Sequence, residues 1–177
     1  MTPTQTSART PTESRLTGEH ADLLVALGKH RSFLRYTVQG LTDEQAALTP
    51  TASALCLGGL IKHVTRAEQG WVDFVLHDAD ALSGGVEEHM DSFRMEPGET
   101  LAGLVAAYDA VAKRTDDLVS SLPDLDASRP LPEAPWFDAG ASWSTRRVLL
   151  HIIAETAQHA GHADIIREAI DGQKTMG

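Results

Sequence analysis

The stretch from Ser142 to Gly172 reads SWSTRRVLLHIIAETAQHAGHADIIREAIDG. Its apolar residues recur with helical spacing, and Gly172 stands where a left-handed residue would end a helix. At about 100° per residue, Val148, His151, Ile152, Glu155, His159, His162, Ala163 and Ile166 fall within one sector of about 120°. Ionisable and apolar side chains therefore share a face, which is not the pattern of a plain solvated surface. A second stripe, Leu149, Ile153, Ala157 and Ala160, is uncharged and mostly small, and suits a neighbouring helix or a second subunit. An unpaired polar group in an apolar site costs roughly 2–7 kcal/mol. A bound metal ion is the compensation that suits three histidines and a glutamate.

Helical periodicity extends outward from this segment. Leu23, Leu24, Leu27, Phe33, Leu34 and Val38 predict a first helix over 16–39 with Gly40 as its stop, and Thr42 with Gln45 forms a capping-box pattern for a short turn of helix ended by Pro50. Leu57, Leu60, Val64, Trp71 and Val75 mark a second long helix over 55–77, and a third follows over 98–121. Pro123, Pro130, Pro132 and Pro135 exclude helix from the segment before Ser142 or Ser144, either of which can cap the fourth. No alternating strand pattern and no internal repeat is apparent. The expectation is an all-α four-helix bundle. The connection over 78–97 holds about 20 residues, enough to span the roughly 30 Å of a helix, so the second and third helices can run parallel with a crossover between them.

The 177 residues, 42% hydrophobic, suffice for one core without staples. Residues 1–14 carry almost nothing to bury and are expected to form a disordered arm, with residues 15–177 as a single domain. A net charge of −10 argues against nucleic acid or an anionic membrane as partner, since both demand a basic footprint. The single cysteine, Cys56, excludes an internal disulfide. With no signal-like or membrane-spanning stretch, this predicts a cytoplasmic protein. Arginine outnumbers lysine, alanine is abundant and asparagine is absent, a composition expected of a GC-rich genome.

Spacing restricts which side chains can share an ion. Glu155 and His159 lie one turn apart and can converge, as can His159 and His162. His151 and His159 are about 12 Å apart along the axis and cannot. A zinc-type site needs at least three protein ligands and an open position. His63 stands at the edge of the second helix's apolar stripe, among Cys56, Gly59, Ala67 and Gly70, small residues that would leave volume for a substrate. Against this stands the plainer reading, in which His63 is a hydrogen-bonded structural residue and Glu155 and His159 form a surface pair.

The segments LCLGGLIKHVTRAEQGWVDFVL, PWF and VLLHIIAETAQHAGHADIIREAIDG resemble the DinB-like superfamily of metal-binding four-helix bundles, and in particular its actinobacterial mycothiol transferase branch. The resemblance covers the chain after residue 15. It implies an up-down-down-up bundle, often a homodimer, holding zinc or a similar divalent ion through one ligand from the second helix and two from the fourth. By position these are His63, Glu155 and His159. Many members carry histidine in place of Glu155, whereas mycothiol-dependent maleylpyruvate isomerases look similar to this version. A glutamate changes ligand hardness, so nickel, iron or manganese join zinc as candidates.

The implied chemistry is transfer of a low-molecular-weight thiol, here mycothiol, to an electrophilic small molecule after activation on the metal. No catalytic residue of the protein's own is then required, and Cys56 reads as a small core residue. His151 and His162 are expected to orient ligands or contact the thiol. Trp136, Phe137 and Trp143 either line the substrate entrance formed by 78–97 and 122–143 or anchor that loop. Two other functions fit the same residues: a metal hydrolase with Glu68 or another carboxylate as base, and a non-catalytic metal- or ligand-binding stress-response bundle.

Overall fold

A computed structural model describes residues 16, 18–82 and 91–175; the arm expected over 1–14 lies outside them. Helix α1 spans Glu19–Tyr36, the short α2 Asp43–Ala46 and α3 Leu57–Leu76, followed by a 3-10 turn at Ala79–Leu82. Helix α4 spans Leu101–Ser121, strands β1 and β2 are Ser128–Pro130 and Ser142–Ser144, and α5 is Thr145–Asp171. Local chemistry sets these boundaries. The Thr42–Gln45 capping box forms on α2, Thr100 caps α4 and Ser144 caps α5 by accepting the Arg147 N–H at 3.2 Å. At the far end, Gly172 takes φ 80°, and its N–H closes onto the Glu168 carbonyl, a conformation that glycine adopts without the steric cost of a Cβ.

Contacts between helices set their directions. Glu19 at the start of α1 pairs with Arg146 at the start of α5, and Arg167 near the end of α5 donates to the carbonyls of Thr37 and Gln39 just past α1. These helices are parallel. Helix α3 runs against them, since His63 faces Glu155 and His159 while Trp71 faces His151. Lys62 and Asp73 of α3 pair with Glu99 before α4 and Arg114 late in α4, so α3 and α4 are parallel and the chain crosses over between them. The result is the up-down-down-up bundle.

Two apolar clusters fill the bundle, one around Leu34, Leu60, Tyr108 and Ile166, the other around Leu27, Trp71, Val119 and Ile152. Between them lies a polar layer with one residue from each long helix: Arg31, Glu68, Thr115 and Thr156, all buried. Arg31 holds both oxygens of Glu68, Thr115 donates to the same carboxylate at 2.5 Å, and Asp116 takes the outer face of the guanidinium at 2.7 Å. Paired this way, the two charges escape the cost of isolated burial. Glu68, the carboxylate that a hydrolase reading would use as base, is thus committed to a structural ion pair.

One expectation fails in the segment before α5. Strands β1 and β2 form an antiparallel ribbon with Arg129 opposite Trp143, where the sequence shows no strand pattern. Three residues are too few for alternation to register, and the prolines permit strand here because an edge does not need every N–H. The ribbon places Ser144 at the α5 N-cap and lays Trp143 on Trp71, centroids 4.7 Å apart and 11° from parallel.

Candidate metal centre

Packing α3 against α5 brings His63, Glu155 and His159 together, with one ligand-type atom from each, all within 4.8 Å of one another. The Nε2 atoms of both histidines face the same carboxylate oxygen, Glu155 Oε1, at 3.4 Å from His63 and 3.2 Å from His159. These separations exceed the roughly 2.7–2.9 Å of a tight charge-assisted bond. The three donor atoms are thus clustered, joined by two long hydrogen bonds to one carboxylate oxygen.

The outer ring nitrogens are held as a ligating histidine requires. His63 Nδ1 lies 2.9 Å from the buried Ser92 hydroxyl, which can donate or accept, and His159 Nδ1 lies 3.4 Å from His162 Nδ1. Each leaves Nε2 for the centre. Phe93 stacks on the His63 ring at 3.9 Å, 20° from parallel, and fixes its plane. The hydrogen bonds from His159 and His63 hold the Glu155 carboxyl well below the usual carboxylate range, against the opposing effect of burial. Glu155 is therefore ionised at neutral pH. Two imidazoles, their outer nitrogens supported, and one carboxylate make a donor set that fits a divalent cation of zinc type.

The other sequence candidates fall elsewhere. His162 touches the centre through His159, whereas His151 sits edge-on to Trp71 and Trp143, centroids 4.9 and 5.2 Å away. Burial, aided by Arg147, lowers the His151 pKa against the pull of Glu155. Phe137 is anchored on Trp71 and Trp143, while Trp136 is 70% exposed. Cys56 is buried and serves as the α3 N-cap, its Sγ accepting the Gly59 N–H at 3.4 Å. Ser92 and Phe93 were missed by sequence reasoning. They lie in a stretch without periodicity, and nothing local announces that it returns to α3.

The small residues near His63 also act differently from the expected hollow. A Cβ on Gly59 would overlap the Phe93 carbonyl and come within 2.8 Å of the Arg94 nitrogen, and one on Gly58 would overlap the Met95 side chain. The missing side chains admit the backbone of Phe93 and Arg94 and the side chain of Met95, not a substrate. Ala67 lines a crevice too narrow to admit water, with Val64, Glu68, Trp71, Ile152, Glu155 and Thr156. At Gly70 the nearest atoms stand 3.8 Å from a built Cβ.

Gly59→Ala is therefore expected to destabilise the protein by about 1–3 kcal/mol through overpacking, more than the roughly 0.5–1 kcal/mol that alanine gains in a helix. By displacing Ser92 and Phe93 it is also expected to weaken divalent-metal binding. Gly28→Ala in α1, with nothing within 4 Å of its built Cβ, is the control and should stabilise slightly. Urea midpoints and metal titration of both variants check this; a Gly59→Ala protein as stable as the control would contradict the close approach.

Comparisons with known proteins follow the same lines. The sequence model described as mycothiol-S-transferase matches residues 22–172. Among solved structures, the crystal structure of a conserved protein from Enterococcus faecalis is similar with a TM-score of 0.63 at 13% identity, covering 89% of this chain and all of that one. At that identity the likeness concerns the fold alone. No curated protein matches the chain.

Proposed function

The chain belongs to the mycothiol-S-transferase family, and on that premise we propose that it transfers mycothiol to an electrophilic small molecule, with a divalent cation held by His63, Glu155 and His159. The observation that carries this reading is the convergence of three donor atoms within 4.8 Å. A divalent cation bound there supplies the positive charge that keeps a thiol deprotonated near neutral pH. The donors suit this task, because two neutral imidazoles and one carboxylate offset only half of a divalent charge. Zinc is the first choice, with nickel, iron and manganese as alternatives.

The remaining residues have supporting roles. Ser92 and His162 hold the outer nitrogens of the two histidines, and Phe93 keeps the His63 ring in plane. Cys56 is occupied as a helix cap and supplies no nucleophile. Glu68 is bound to Arg31 and Thr115 and supplies no base.

The test is consumption of free mycothiol by the metal-loaded protein against chloro-aromatic and maleyl electrophiles, with bacillithiol and glutathione as controls. Thiol loss should require metal and persist in Cys56→Ala. If every thiol remains while an ester or amide is hydrolysed, the protein is a hydrolase; if neither occurs, it is a metal-binding bundle without turnover.

A further inference from the structure

A second concavity lies against the loop that joins the two strands. It has a volume of about 380 Å³ and is lined, among the described residues, by Trp71, Leu82, Pro132, Glu133, Ala134, Pro135, Trp136 and Phe137. That size falls within the range of small-molecule sites, roughly 300–1,000 Å³. We propose that this cleft binds the electrophile and selects uncharged planar aromatic molecules over carboxylate-bearing ones. Calling the ligand an electrophile rests on the transfer reading above; the preference for an uncharged ring stands on the lining itself.

Three features carry it. The walls are rigid and aromatic, since Trp71 is clamped by Trp143, Phe74 and His151, and Phe137 packs on both tryptophans. Against this fixed surface Trp136 stands 70% exposed, a large apolar side chain that the core does not use. An aromatic ligand would bury it in the offset or edge geometry that such rings favour.

The second feature is charge. Glu133 is the only ionisable side chain among the described lining residues. The arginines nearby are engaged elsewhere: Arg129 donates to the carbonyls of Val75 and His77, and Arg147 lies over Trp143, whose ring also stacks on Trp71. Among the described lining residues a carboxylate-bearing ligand would meet one negative charge and no positive one, in a protein of net charge −10.

Position is the third. Trp71 lines both this cleft and a crevice, too narrow to admit water, whose far wall includes Glu155, so the Trp71 side chain links the aromatic cleft to one of the three metal donors. None of His63, Glu155 and His159 lines the cleft, so a ring seated on Trp71 displaces none of them.

The experiment is equilibrium dialysis of chelator-treated, full-length protein with 2-naphthol and its anionic analogue 2-naphthoate at neutral pH. 2-Naphthol is expected to bind at one site, at least tenfold more tightly than 2-naphthoate. Trp136→Ala, a surface change whose fold circular dichroism verifies, should weaken 2-naphthol at least tenfold, and Glu133→Gln should narrow the gap between the two ligands. No binding of 2-naphthol, equal binding of both, or indifference to Trp136→Ala would overturn the proposal. Neither metal nor thiol takes part, so failure here leaves thiol transfer standing, and failure to consume thiol leaves the cleft standing.

Discussion

Replacing His159 with alanine is expected to abolish stoichiometric divalent metal and, with it, mycothiol consumption, while the helical circular dichroism survives. His159 supplies one of the three converging donors and makes the shorter of the two contacts to Glu155. Its loss leaves two donors where a zinc-type site needs at least three. Helix α5 is held at other points, by Arg146 to Glu19 at one end and Arg167 to the α1 terminus at the other, so the bundle should persist. His162→Ala is the graded comparison. It removes only the partner of the outer nitrogen and should weaken metal affinity by about 10–100-fold. Elemental analysis of protein purified without chelator reads both. Full metal occupancy in His159→Ala would remove His159 from the proposed donor set, and metal loss in His162→Ala equal to that in His159→Ala would make His162 a donor.

Arg31→Met should be the most destabilising single change in the interior, by about 3–5 kcal/mol, because it leaves the Glu68 carboxylate buried with only Thr115 as partner. Arg31 is 2% exposed and Glu68 1% exposed, so little solvent remains to replace the guanidinium. The double variant Arg31→Met, Glu68→Leu exchanges both charges for apolar groups and should recover most of that loss. Urea unfolding of the three proteins provides the comparison. Asp116, half exposed, holds the outer side of Arg31, and its replacement should cost no more than about 1 kcal/mol. A single Arg31 variant within 1 kcal/mol of the parent would mean that the polar layer does not hold the bundle together.

The polar layer also shows where local reading stops. Leu23, Leu27, Arg31 and Leu34 occupy one stripe of α1, and a charge at such a position signals a buried partner somewhere. Glu68 occupies the equivalent place on α3, between Val64 and Trp71. Periodicity identifies each as anomalous on its own helix, but pairing them requires knowing that the two stripes meet at the same height. From the sequence, Glu68 stands out only as one carboxylate that a metal-hydrolase alternative could use as its base, and its buried partner is not visible. Similarly, Gly59 suggests empty space in the sequence, whereas its missing Cβ serves the approach of the Phe93 backbone.

What the sequence determined by itself is what depends on a few neighbouring residues: the approximate extents of the long helices, the Thr42 capping box of the short one, a serine cap at Ser142 or Ser144, the stop at Gly172, and the one-turn spacing of Glu155 and His159. The chain length of the connection after α3 allowed the crossover. Only the tertiary structure decided that His63 Nε2 comes to Glu155, that Ser92 and Phe93 return across α3 to hold its ring, that His151 turns to the tryptophans, and that a three-residue ribbon forms beneath Trp136. The physical reason is range. Helix hydrogen bonds and caps act within about four residues and leave a periodic trace, whereas these contacts join residues up to 92 positions apart and depend on how the packed helices are rotated and set in height, which no local pattern records.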